Sequence, residues 1–63
     1  MKNVIEVLIN SLFESVNEKT REYIYDQIIP EFFESDPDAL YEVETEDQVF
    51  DSAFSRFIRD HGG

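Results

Sequence analysis

Cysteine is absent from this chain. That excludes disulfide staples, thiolate metal sites and a cysteine nucleophile, and it fits a reducing compartment. Glycine occurs only at positions 62 and 63, so there is no glycine-rich loop to cradle a phosphate. The single histidine, His61, rules out a histidine pair at metal-ligand spacing. No apolar run approaches the roughly 20 residues of a membrane-spanning helix. The opening MKNVIEVLIN is interrupted at Glu6 and Asn10, and no small-residue cleavage site follows it. It reads as neither a signal peptide nor an anchor, which makes the cytoplasm the expected location. Bases are scarce: five Lys and Arg stand against fifteen Asp and Glu, a formal charge of −10. Such a surface repels nucleic acid and anionic lipid and attracts basic proteins.

What is present suffices for one small domain. Hydrophobic residues make up 41% of the 63 positions, including six Phe and three Tyr, which is too much apolar material for a disordered tail. A chain of this size buries only about 60% of its unfolded surface, so its stability margin is thin.

The apolar spacing is helical. Ile5, Leu8, Leu12 and Val16 recur at intervals of three and four, predicting a first helix with Asn3 as a candidate cap. A second helix is expected through SVNEKTREYIYDQIIPEFFES, capped by Ser15 with Glu18 or by Asn17. Pro30 lies inside it and predicts a kink or a restart, because proline lacks an N–H and crowds the preceding turn. SDPDALY reads as a short helical turn with Pro37 at its first position. TEDQ, Thr45 to Gln48, matches a capping box and opens a third main helix carrying Val49, Phe50, Ala53, Phe54, Phe57 and Ile58 on one side. The expected fold is all-α: one domain over 1–63, a small bundle of three main helices with a short helical turn between the second and third. Residues 62–63 are expected to fray.

Residues 22 to 55 contain no base and hold eleven of the fifteen acids: Glu22, Asp26, Glu31, Glu34, Asp36, Asp38, Glu42, Glu44, Glu46, Asp47 and Asp51. Glu14, Glu18, Glu22 and Asp26 also recur every four residues, with a break expected near 15–17 that detaches Glu14. Self-repulsion on this scale lowers stability, so a role beyond keeping the surface solvated is expected. These eleven acids, with Tyr41 as an exposed aromatic anchor, form the expected partner-binding surface. Tyr25 is also expected to be exposed.

Catalysis is not indicated. The carboxylates are too many to single out an acid–base pair, and a chain this small offers little room for a dry pocket. His61 reads as a helix-end residue facing the macrodipole. Asp36 and Asp38 could start a calcium loop, but Leu40 falls at its fifth position, Tyr41 replaces the required Gly, and Asp47 replaces the final Glu. No metal or cofactor is expected. The first helix offers Val4, Ile5, Val7, Leu8, Ile9, Leu12 and Phe13, more apolar surface than two short helices can cover. A dimer through Ile5, Leu8, Ile9 and Leu12 is therefore expected.

The segment VFDSAF, Val49 to Phe54, resembles a stretch of the T7-type overcome-classical-restriction proteins, which mimic DNA and inhibit restriction enzymes. The shared pattern is Val-Phe-Asp, any residue, Ala, aromatic. The resemblance implies a class: small, acidic, helical phage proteins that block host restriction or CRISPR systems, acting in the host cytoplasm. The expected function is thus a non-enzymatic inhibitor that occupies a basic nucleic-acid-binding surface of a partner protein. Two alternatives are an antitoxin- or immunity-like partner of a basic protein, and a plain helical oligomer with a solubilising acidic surface.

Overall fold

The computed structural model describes residues 1–61; the expectation of fraying at 62–63 lies outside them. The fold is all-α, with α1 (Lys2–Ser15), α2 (Glu18–Ser35), the short α3 (Pro37–Glu42) and α4 (Gln48–His61). Three long helices and one short helical turn match the expected architecture.

Local chemistry sets the boundaries. α1 begins one residue before Asn3, with Met1 at the cap position and no side-chain cap. It ends where Val16 becomes extended and its N–H donates to the Leu12 carbonyl. Asn17 caps α2, its side chain accepting from the Thr20 N–H at 2.9 Å. Asp36 serves two helices at once. Its N–H donates to the Phe32 carbonyl at the end of α2, and its carboxylate accepts from the Ala39 N–H in α3. Pro37 at the first turn of α3 matches the expectation.

Pro30 produces no restart: α2 is one helical element on both sides of it. Proline in a helix interior costs about 3 kcal/mol, so packing must hold the last turns in place. Phe32 and Phe33 lie against the core, and Phe33 meets Phe57 of α4 edge-on at 5.1 Å.

Each helix contributes two residues to the core: Ile5 and Ile9, Tyr25 and Ile29, Ala39 and Leu40, Phe50 and Ala53. Tyr25 and Phe50 meet in a T-shaped contact at 5.3 Å, worth about 0.5–1.5 kcal/mol beyond area burial. Tyr25 is fully buried, correcting the expectation of an exposed ring. Ile5 and Ile9 are 0% exposed and Leu12 packs on the core, so three of the four expected self-association residues are used within the monomer. The first helix has a narrower spare face than the sequence suggests, because α3 as well as α2 packs on it.

Candidate functional site

The acidic tract is organised around a buried carboxylate. Asp47, expected on the partner-binding surface, is 0% exposed. Its Oδ2 accepts from Arg21 Nε at 2.8 Å and from the Tyr25 hydroxyl at 2.6 Å. Its Oδ1 accepts from Arg21 Nη2 at 3.2 Å and from the Val49 N–H at 2.9 Å. Arg21 also donates from Nη1 to the Val16 carbonyl, and its guanidinium lies over the Phe13 ring at 5.1 Å. The fork of Arg21 thus binds both carboxylate oxygens, the geometry in which a guanidinium does best. No buried side-chain polar atom among the described residues is left unpaired.

Sequence chemistry explains the placement. Asp47 is the cap of α4, two residues downstream of the expected Thr45. Its carbonyl accepts from the Asp51 N–H, its side chain accepts from Val49, and its own N–H donates to Thr45 Oγ1. Burial alone would raise the Asp47 pKa. The bonds from Arg21, Tyr25 and Val49 outweigh it and hold the carboxyl below its ordinary value. Burial, together with the bond to Asp47, raises the Tyr25 hydroxyl well above its usual range. The Asp47 bond raises Arg21 likewise. At neutral pH this is a fixed ion pair with a neutral phenol.

The other predicted residues fall into distinct groups. Glu22 and Asp26 flank Arg56 of α4, at 3.9 Å and 2.8 Å. These contacts hold Arg56 protonated and neutralise part of that stripe. Asp36 is half-buried and committed to capping. Asp38, Tyr41 and Glu42 share the outer side of α3, and Tyr41, 61% exposed, rests its ring against Phe54 of α4 at 5.2 Å. Asp51 is exposed one turn before Phe54. Glu31 and Glu34 are exposed on the last turns of α2.

Glu44 and Glu46 of the connector 43–47 line an open cleft of about 560 Å³ with Asn10, Phe13, Glu14 and Thr45. The connector is pinned there by a bond from the Glu44 N–H to Glu6 of α1, at 3.0 Å. Glu14 thus joins the acidic surface from α1, a role the sequence spacing does not disclose. The break at Val16–Asn17 does separate it from the α2 stripe, as expected. His61 ends α4 with its ring stacked on Phe57 at 4.3 Å.

Nine of the eleven tract acids are therefore exposed, and they are distributed over α2, α3, the connector and the start of α4. Among the described residues, Glu31, Glu34, Asp38, Glu42, Glu44, Glu46 and Asp51 have no ion-pair partner. Such a surface can bind cations or a basic macromolecule through many weak contacts. No family model, no curated protein and no solved structure matches this chain.

Proposed function

We propose that this protein is an acidic inhibitor that occupies the basic nucleic-acid-binding surface of a partner protein, in the manner of a phage-type anti-defence DNA mimic. The observation that carries the reading is the set of exposed, unpartnered carboxylates on consecutive elements within a stretch that contains no base. One helix could not do this. Carboxylates every four residues lie about 6 Å apart, whereas duplex DNA carries a charge per about 1.7 Å of axis. Acids drawn from α2, α3, the connector and α4 raise that density. The buried Arg21–Asp47 pair supports the reading further, because it fixes the connector and so limits the ordering cost of binding.

The partner is a basic nucleic-acid-handling enzyme or complex, and binding is competitive with its nucleic acid. The deciding experiment is capture of partners from a host lysate with graded salt washes, followed by competition with duplex DNA and with RNA. Retention that falls steeply with salt and is displaced by nucleic acid supports the proposal. Capture that nucleic acid cannot displace defeats it.

Tyr41 favours one second reading. An aromatic ring 61% exposed among acids suits a hot-spot anchor of an antitoxin- or immunity-like neutraliser. In that case Tyr41→Ala removes most of the affinity and nucleic acid does not compete.

A further inference from the structure

Among the described residues, three Phe and Tyr rings are exposed: Phe13, Tyr23 and Tyr41. Their electrostatic surroundings differ. Phe13 already carries a guanidinium, that of Arg21, 5.1 Å from its ring centre. Tyr23 shares its side of α2 with Lys19, four residues back. Its acidic neighbour Asp26, three residues on, is bonded to Arg56 at 2.8 Å. The surroundings of Tyr41 are acidic. On α3 it follows Asp38 by three residues, a spacing that sets side chains about 5–6 Å apart. Its ring rests against half-buried Phe54 at 5.2 Å, and Phe54 follows Asp51 by the same three residues on α4. Asp38 and Asp51 are exposed, and neither forms an ion pair among the described residues. The two bases of α4, Arg56 and Arg59, lie about 140–160° around the helix from Phe54. Two aromatic rings in contact are thus flanked by two carboxylates that nothing neutralises.

We infer that Tyr41 and Phe54, with Asp38 and Asp51 on either side, form the seat for an arginine side chain of the basic partner. Charge complementarity selects a cation, and the rings select which one. A guanidinium is planar and weakly hydrated, so it stacks on an aromatic face while its N–H fork reaches a carboxylate. An ammonium is compact and strongly hydrated, and it gains chiefly from the charge. The interior of this protein holds the same combination: Arg21 lies over Phe13 and forks both oxygens of Asp47. The outer side of α3 and the start of α4 offer the same two kinds of group to solvent. The seat rests on the reading that the acidic surface binds a basic protein. It adds one point on that surface where the identity of the partner's side chain is read, and not only its charge.

Calorimetric titration with hexaarginine and hexalysine peptides at equal ionic strength tests it. The parent protein should bind hexaarginine more tightly. Tyr41→Leu should weaken hexaarginine by about two- to fivefold, the worth of one exposed cation–π contact, and leave hexalysine unchanged. Tyr41→Phe should keep the parent's preference, because the ring and not the hydroxyl carries it. Tyr23→Leu should keep it as well, since that ring lies beside Lys19. Unchanged helical circular dichroism checks that each variant is folded. A second readout needs no variant: in proton NMR the arginine δ-methylene signals should move upfield on binding the parent, as they do over a ring face. Equal or undetectable binding of the two peptides by the parent overturns the inference, as does an arginine preference that survives intact in Tyr41→Leu. The peptides test the seat alone. Lysate capture that nucleic acid cannot displace defeats the inhibitory reading and leaves the peptide result standing, so the two can fail separately.

Discussion

Arg21 and Asp47 are 26 residues apart in the chain, yet two side-chain hydrogen bonds of 2.8 and 3.2 Å join them in the interior. The pair connects the first turn of α2 to the cap of α4. Its energetic meaning lies in what happens when one member is removed.

Asp47→Ala leaves the Arg21 guanidinium buried without its counter-charge and uncaps α4. Breaking a buried pair in this way costs about 3–5 kcal/mol. The entire stability expected for a chain of this length is only about 3–9 kcal/mol. The variant should lose at least about a third of its stability near 25 °C, as read by urea denaturation followed by circular dichroism. A midpoint within experimental error of the parent would show that the pair contributes nothing.

Stability should fall at both ends of the pH scale through this network. Asp47 has a lowered folded pKa, so its contribution is complete above the ordinary carboxyl value of about 3.9 and is lost as pH falls through the lower folded value. Tyr25 has a raised folded pKa. Its contribution is complete below about 10 and is lost as pH climbs beyond that. Thermal midpoints across the pH range should show both limbs. Tyr25→Phe keeps the packing on Phe50 and should abolish the alkaline limb; a limb that persists would place its origin elsewhere.

Pro30→Ala should stabilise the protein by about 1–3 kcal/mol, since it restores a donor inside α2 and relieves the crowding of the preceding turn. Pro30 is exposed, so no core contact is lost. An unchanged or lower denaturation midpoint would contradict this account of α2.

Neutralising Glu34, Asp38, Glu42, Glu44 and Glu46 together, as Gln or Asn, should leave the fold intact and raise the thermal midpoint by relieving self-repulsion. Asp36 and Asp47 must be spared, because both hold structure. Partner affinity should fall in small steps of about 0.2–1 kcal/mol per charge. If the fully neutralised protein retains every partner, the acidic surface is not where binding occurs.

The helices and the apolar periodicity are legible in the sequence because spacing and caps are local properties. Asn17, one of two candidate caps for α2, and Pro37 act where the sequence places them. The errors arise where a tertiary partner decides. Asp47 reads as one more acid in a run of seven between Glu34 and Asp47, and nothing local marks it for burial. A signal does exist on α2. Arg21, Tyr25, Ile28 and Phe32 follow helical spacing, which puts a base at a core-facing position and implies a buried anion somewhere. Ile5 and Ile9 look available for self-association only while the six-residue α3 is treated as a connector too slight to cover α1.

Capping α4 with the same carboxylate that Arg21 clamps also bears on local motion. A helix N-terminus ordinarily frays and exchanges its amide protons freely. Here the Val49 amide is bonded to the Asp47 carboxylate, so releasing it means disturbing an ion pair in the interior. The start of α4 therefore has no cheap opening of its own, and the Val49 amide should exchange with deuterium only as fast as the whole molecule unfolds.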